Sequence, residues 1–414
     1  MDTKTLRCGL LGRKLGHSYS PAIHERLADY SYRLFEVEPE DLGAFLQEGA
    51  FDGLNVTIPY KKDVIPYCAE LSDTARAIGA VNTLVRRADG TLRGDNTDAY
   101  GFSMLVQFSG ADVAGKKALV FGSGGASATA QYVLRQLGAR EVVVISRHGE
   151  DNYENLDRHA DAQIAVNTTP VGMYPNTGVS PVDLHRLPRL EAALDVVYNP
   201  ARTEFLLQAE ARGLRRANGL LMLAAQAKKS CEDFTGEPVD DAKIFSITKA
   251  LEAQMHNVIL IGMPGSGKTT IGTLVAKRLG RTFVDADSAL EREAGMPIPE
   301  IFRREGEAGF RRRETAVLAE LGRQSGLVLA TGGGSVTREE NYPLLHQNGE
   351  IFCLQRALER LPSAGRPVSQ ALGAQTIYAQ RKPLYARFAD AMIDNNGTPE
   401  AAAAQILEVL GCSC

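Results

Sequence analysis

Residues Gly262 to Thr269 read GMPGSGKT, the residue types of a phosphate cradle. Glycines at 262, 265 and 267 leave the main chain free to wrap a phosphate with its N–H groups turned inward. Lys268 adds a point charge for β- and γ-phosphates, and the Thr269 hydroxyl can ligate Mg²⁺. With Met263, Pro264, Ser266 and Thr270 the loop makes ATP the expected ligand of residues 262–270. Downstream, FVDAD places Asp285 and Asp287 two residues apart. In a strand these two would share one face and point together toward the phosphate end of the sheet. One would organise the metal's water shell, and the other would accept a proton from a hydroxyl nucleophile. GFRRRE carries Arg311, TGGG carries Gly333 and Gly334, GRP carries Arg366, and RKPLY carries Arg381. Glycines at a strand terminus permit close backbone approach to a ligand. Read alone, the charge run around Arg311 is a solvated helix face.

A second constellation occupies the first half. FGSGGAS spans Gly122, Ser123, Gly124, Gly125, Ala126 and Ser127 after a strand. Such a turn brings a pyrophosphate close to a helix N-terminus. The next strand ends at Ser146 and Arg147, and an arginine there suits a 2′-phosphate, which favours NADPH over NADH. Ser18 and Ser20 stand in GHSYSP, Asn55, Thr57 and Lys61 in NVTIPYK, Asn82 in GAVNT, and Asp98 in GDNTD. Singly, each reads as a turn or cap residue. Together they are short-reach polar groups at strand ends, as a small polyhydroxylated acid requires.

The elements that must position these groups alternate between strand and helix, the grammar of parallel α/β sheets. Strands are expected at Leu6–Leu11, Gly53–Ile58, Gly115–Gly122, Val142–Ile145, Ile164–Val166, Leu194–Val197 and Val258–Ile261. Helices are expected at Pro21–Asp29, Ala128–Leu137, Leu220–Phe234 and Thr270–Leu279, with a tail helix within 236–257. The 414 residues exceed one ordinary core, and a hydrophobic fraction of 44% with 23% charged residues is globular. A net charge of −4 gives nucleic acid no support as the main partner. The six cysteines are scattered without a CxxC pair, and no apolar run reaches the roughly 18 residues of a membrane span, so a cytoplasmic chain is expected.

GMPGSGKT, FVDAD, GFRRRE, LATGGGSV, GRP and RKPLY, in this order, resemble shikimate kinase over about residues 257–410. The resemblance implies that Asp287 contacts the shikimate ring hydroxyls as base or orienter and that Asp285 serves Mg²⁺. Arg311 and Arg381 would hold the substrate carboxylate, Gly333 and Gly334 would meet the substrate by backbone, and Arg366 would be the lid arginine. The segment 360–383, which should hold the lid, is several residues shorter than usual. The first half, with VNTTPVGM, DVVYNP and NGLLMLAAQA, resembles shikimate dehydrogenase over about residues 6–234. That implies Lys61 and Asp98 at the reacting carbonyl, with either able to move the proton. Ser18 and Ser20 would hold the carboxylate with Tyr198 near it, while Asn55, Thr57, Asn82 and Gln226 would hold ring hydroxyls. Gly219 would join the NADP site.

The expected architecture is a two-domain dehydrogenase followed by a P-loop α/β kinase. Residues 1–101 with a returning helix at 219–240 would bind substrate, 102–218 would form a Rossmann-like NADP domain, 241–256 a linker and 257–414 the kinase. The expected function is NADPH-dependent reduction of 3-dehydroshikimate to shikimate, then ATP- and Mg²⁺-dependent phosphorylation to shikimate 3-phosphate. Because a charge-assisted contact to the 2′-phosphate contributes roughly 1.5–3 kcal/mol, NADPH should be preferred over NADH by about tenfold or more. Arg147→Asp should shrink or reverse that ratio in steady-state kinetics. Equal kcat/KM for the two cofactors in the parent would refute the assignment.

Overall fold

The computed structural model describes residues 6–16, 18–361 and 374–411. The chain divides into two compact units, one built from Met1–Gly172, Val179–Tyr198 and Phe205–Ala250, the other from Met173–Gly178, Asn199–Glu204 and Leu251–Cys414.

The first unit holds two sheets. β1 (Arg7–Gly12), β2 (Ser31–Glu36), β3 (Gly53–Val56), β4 (Glu70–Leu71), β5 (Thr83–Arg86) and β6 (Leu92–Asp95) form the first, ordered β2-β1-β3-β5-β6-β4. β1 is parallel to β2 and β3, whereas β5 runs antiparallel to β3 and β6. The second sheet comprises β7 (Lys117–Phe121), β8 (Glu141–Ile145), β9 (Ile164–Asn167), β10 (Ala192–Asp195) and β11 (Arg215–Ala217). All pairs are parallel and the order is β11-β10-β9-β7-β8. Strand order reverses at β7, and a crevice for a ligand opens at the strand ends of such a switch point. Every residue of β7 is buried, which is why KALVF reads as a continuous run after its first lysine.

Helix Leu220–Thr235 returns to the first sheet. Its Ser230 hydroxyl lies 2.7 Å from Asn55 Nδ2 and 2.9 Å from both Thr83 Oγ1 and Thr97 Oγ1. The segment expected to be a linker is largely helix Ala242–Met255. Its Ile244, Ile247, Leu251 and Met255 are buried, an apolar stripe at helical spacing.

In the second unit, β12 (Asn257–Ile261), β13 (Thr282–Asp285), β14 (Leu327–Ala330), β15 (Gly349–Gln355) and β16 (Ala391–Asp394) are all parallel. Their order is β13-β14-β12-β15-β16, so strand order reverses at β12. Ile259 and Ile261 enter one apolar cluster, and Val258 and Leu260 enter the one on the opposite face. A strand covered on both sides has no polar alternation to display.

Two helices begin earlier than expected, Gly125–Gln136 and Lys268–Leu279. The last residues of each glycine-rich turn already have helical backbone, which directs first-turn N–H groups at the ligand position. Among the described residues, no helix is long and apolar enough to cross a membrane.

Phe205 is fully buried in the cluster beneath β7–β10, and its ring meets Phe121 edge-on at 6.2 Å. Phe205→Ala should therefore destabilise the first unit by about 3–5 kcal/mol. The expected readout is an earlier urea midpoint for loss of reductase activity; an unchanged midpoint would place Phe205 outside the cooperative core.

Candidate active sites

In the first unit a cavity of about 250 Å³ is lined by Ser18, Ser20, Asn55, Thr57, Lys61, Asn82, Asp98, Tyr198 and Gln226, with Gly219 at its wall. The structure thus gathers into one cleft every substrate-side residue singled out from the sequence. Lys61 Nζ lies 2.5 Å from Asp98 Oδ2, and the Asp98 carboxylate is the more buried of the two. Asp98 opens helix Asp98–Ser109, where a carboxylate is stabilised by the positive helix end. The ammonium is thereby paired with a largely buried carboxylate at a helix start.

Asn55 and Asn82 are engaged with the protein as well as facing the cleft. Tyr32 donates to Asn55 Oδ1 at 2.8 Å, and Asn82 Oδ1 accepts from the Thr97 backbone N at 2.7 Å. Asn82 Nδ2 donates to Thr97 Oγ1 at 3.0 Å. Buried amides with committed partners hold a single orientation. Tyr32, Thr83, Thr97 and Ser230 were not singled out from the sequence, because their importance arises only where strands and the returning helix meet. Gln226 Nε2 donates to Leu223 O at 2.9 Å. Burial pushes the Tyr198 hydroxyl above the ordinary tyrosine range.

The glycine-rich turn sits beside this cleft. Gly122 has φ +108°, and a Cβ there would lie 2.9 Å from Thr168 Oγ1 and from Thr169 Cγ2. Gly124 caps helix Gly125–Gln136 without a side-chain hydrogen bond, and nothing lies within 4 Å of a Cβ placed on it. The nearest atom to a Cβ on Gly125 is Lys61 Cδ at 3.8 Å. An open helix N-terminus therefore adjoins the Lys61–Asp98 pair, a cradle that fits a dinucleotide pyrophosphate. Ser123 is exposed at the turn, and Ala126 is half-buried in the first helical turn.

Ser127 stands at the end of the turn with its side chain turned inward. It is fully buried and accepts from Gln131 Nε2 at 3.2 Å, so its hydroxyl serves the helix. Gly219 is needed for packing, since a Cβ would lie 2.0 Å from Val196 O. Ser146 follows β8, and its backbone N–H is bonded to Asp151 O at 3.2 Å. Arg147 is exposed in the next turn, its charge near the Tyr153 ring.

In the second unit a cavity of about 630 Å³ includes Gly265, Lys268, Thr269, Asp285, Asp287 and Arg311 in its lining. The P-loop glycines Gly262, Gly265 and Gly267 all have positive φ. Lys268 Nζ donates to Gly262 O at 3.0 Å and Met263 O at 3.1 Å, folding the loop around its own lysine. Met263 is buried, while Pro264 and Thr270 line the cavity. Asn395 on the neighbouring loop donates to Ser266 O.

The Asp285–Asp287 pair is built differently from the strand face expected. β13 ends at Asp285, which caps helix Ala286–Ala294 by accepting from the N–H groups of Asp287 at 3.1 Å and Ser288 at 3.2 Å. Asp287 lies in the first helical turn, so a capping turn and not strand alternation brings the carboxylates together. Thr269 Oγ1 donates to Asp285 Oδ2 at 2.9 Å. Among the described residues no group of three or more His, Cys, Asp or Glu could hold a metal. The Thr269–Asp285 pair fits Mg²⁺, which is commonly bound by one or two protein groups plus phosphate and water oxygens.

Burial, then the neighbouring Asp285 and Glu314 charges, raises the Asp287 carboxyl to about 6, against the opposing pull of Lys268 and Arg311. Of the run at 311–313, only Arg311 turns fully inward, donating to Glu314 Oε2 at 2.7 Å. Glu314 was missed because a helix-face pair reads as solvated until burial is known. Burial raises its carboxyl too, partly offset by Arg311.

Gly332, Gly333 and Gly334 line the cavity, yet their missing side chains make room for the protein itself. A Cβ would lie 2.6 Å from Glu314 Oε1 at Gly332, 2.6 Å from the Pro264 ring at Gly333 and 2.2 Å from Arg311 Nη2 at Gly334. Arg381 donates to Gly333 O at 3.0 Å, as does Tyr385 Oη at 2.5 Å. Arg366 and the rest of the expected lid at 362–373 lie outside the described residues.

Fold and sites define a chain of two nucleotide-dependent α/β enzymes, a Rossmann-like oxidoreductase and a P-loop kinase. Residues 10–84 match the family model for the shikimate dehydrogenase substrate binding domain, and residues 264–411 match that for shikimate kinase. The chain is 36% identical over 267 residues to the shikimate dehydrogenase (NADP(+)) of Clostridium perfringens strain SM101, covering 59% of this chain and 98% of that one. A chorismate mutase/shikimate 5-dehydrogenase fusion from Clostridium acetobutylicum superposes with TM-score 0.57 at 35% identity, over 60% of this chain and 98% of the other. The Thermus thermophilus shikimate 5-dehydrogenase in complex with NADP(H) and shikimate gives TM-score 0.55 at 33% identity, over 59% and 99%. The chain belongs to the shikimate dehydrogenase family, and its C-terminal region is a shikimate kinase domain.

Because Asp287 is raised to about 6, against about 3.9 for an ordinary aspartate, it is increasingly protonated below that pH. If it acts as the base, kcat/KM for phosphoryl transfer should fall about tenfold per pH unit below pH 6. A profile flat down to pH 5 would exclude a base that titrates near 6.

Proposed function

We propose that the first unit reduces 3-dehydroshikimate to shikimate with NADPH and that the second phosphorylates the 3-hydroxyl of shikimate with ATP. On this reading residues 1–101 and 219–240 hold substrate, 102–218 hold NADP, and 257–414 are the kinase, in a chain working in the cytoplasm. The observation that carries it is the Lys61–Asp98 pair, 2.5 Å apart in a cleft that also presents hydroxyls and amides.

When bound, NADPH supplies the hydride and ATP the phosphoryl group. At the ketone, the Lys61 ammonium stabilises the negative charge developing on oxygen and can deliver the proton. Asp98 keeps that ammonium aimed and accepts from a neighbouring hydroxyl. Ser18, Ser20 and Tyr198 hold the carboxylate, and Asn55, Thr57, Asn82 and Gln226 read the ring hydroxyls. Gly122–Ser127 and Gly219 border the nucleotide, with Ser146 and Arg147 at its ribose end.

In the second unit Asp287 takes the hydroxyl proton or orients the hydroxyl for in-line attack. Arg311 and Arg381 hold the carboxylate, a role suited to guanidinium forks. Lys268 neutralises phosphate charge, and Thr269 with Asp285 would hold Mg²⁺. Gly333 and Gly334 shape the wall between these groups, and Arg366 is the expected lid cation.

Supplying dehydroshikimate, NADPH and MgATP should yield shikimate 3-phosphate, identified by mass. Lys61→Ala should abolish reduction and leave phosphorylation within twofold, and Asp287→Asn should do the reverse. An equimolar mixture of the two variants should restore the complete conversion through free shikimate. Loss of both reactions from either substitution in a folded protein would overturn the assignment of two independent sites.

A further inference from the structure

Arg356 was not singled out from the sequence, and no role above uses it. It is the first residue beyond β15, which lies beside β12, the strand that runs into the P-loop. It lines the same cavity as Gly265, Gly267, Lys268 and Thr269. One of its terminal nitrogens, Nη1, lies 3.9 Å from the position of a Cβ on Gly267. Gly267 caps helix Lys268–Leu279 with φ +93° and no side-chain hydrogen bond. The Arg356 Nε is buried without a hydrogen-bond partner. A buried N–H without an acceptor costs free energy, and the guanidinium that carries it borders the cavity.

The backbone on both sides of Arg356 is braced. Gln355 O accepts from Asn395 N at 2.8 Å, and Ala357 N donates to Asn396 Oδ1 at 2.8 Å. Asn395 in turn donates to the P-loop at Ser266 O. The loop carrying Arg356 is therefore tied, through one asparagine, to the loop that cradles phosphate. A cation so held needs little reorganisation when charge develops nearby. Its setting also separates it from the two arginines assigned to the carboxylate. Arg311 is committed to Glu314 and Arg381 to Gly333 O, whereas Arg356 stands at the helix N-terminus beside Lys268.

We propose that Arg356 binds the phosphate chain of the nucleoside triphosphate from the β15 side of the P-loop and steadies the phosphoryl group in transfer. A guanidinium offers two parallel N–H groups to phosphate oxygens, which the single point charge of Lys268 does not. The proposal rests on the kinase reading of the second unit.

The test uses the full chain and follows ATP and shikimate kinetics separately, with reductase activity and thermal unfolding as controls on folding. Arg356→Ala should lower kcat/KM for ATP at least tenfold while the KM for shikimate stays within about twofold. Arg356→Lys should recover part of the loss, because it restores charge without the fork. ADP binding should weaken in Arg356→Ala while adenosine binding stays unchanged. Equal weakening of ADP and adenosine would move the contact to the base or ribose, and an ATP kcat/KM within twofold of the parent would end the proposal. A parent chain that binds ADP but does not phosphorylate shikimate would defeat the kinase reading alone. The ADP–adenosine comparison would then still decide whether Arg356 touches phosphate.

Discussion

Both nucleotide sites depend on the same constraint, the unsatisfied N–H groups at the start of a helix. A helix cannot pair its first N–H groups internally, and proteins commonly spend a serine, threonine or aspartate on them. At Gly124 and Gly267 this chain spends nothing, and neither cap makes a side-chain hydrogen bond. Each helix follows the strand at which its sheet reverses order, so these donors open into a crevice. The glycines preceding them are a consequence, because the backbone must turn through positive φ to reach the helix without covering it. By contrast, the helix at Ala286 is capped by Asp285, and that carboxylate also receives the Thr269 hydroxyl.

Around these openings the protein places charge with partners attached. Lys61 meets Asp98, and Arg311 meets Glu314. A buried charge without a partner is costly, and a partner also sets its direction. In the second cavity Asp285, Asp287 and Glu314 are crowded near Arg311, and burial makes both Asp287 and Glu314 hold their protons more tightly. Structural economy and chemical use coincide there, since a base near neutrality is more effective than one held far below it.

What was legible from the sequence followed the range of the interactions involved. GMPGSGKT and FGSGGAS are read directly because their strand–turn–helix geometry is local. Lys61 and Asp98, 37 positions apart, were found through motif resemblance; nothing in their spacing announces a 2.5 Å contact. The convergence of Asp285 and Asp287 was anticipated for the wrong reason, since period-two alternation and a capping turn both bring i and i+2 together. Ser230 and Tyr32 escaped notice because their bonds to Asn55 join the returning helix, and β2 from across β1, to β3. The helix at 242–255 was half seen: its polar lead dominated the reading, while the stripe Ile244, Ile247, Leu251 and Met255 marks a packed element.

The triplet Gly332–Gly334 bears on how the kinase could drift or be redesigned. Each of its missing side chains is a volume already claimed, by a carboxylate, a proline ring and a guanidinium in turn. Variation there would displace Glu314, Pro264 and Arg311, which line the cavity beside it. A selection for altered ligand preference would score every alanine in the triplet as a binding defect, because the neighbours it displaces line the same cavity. The freedom to change preference lies instead in side chains with room around them, and lineages of this domain should diverge there while these three positions stay bare.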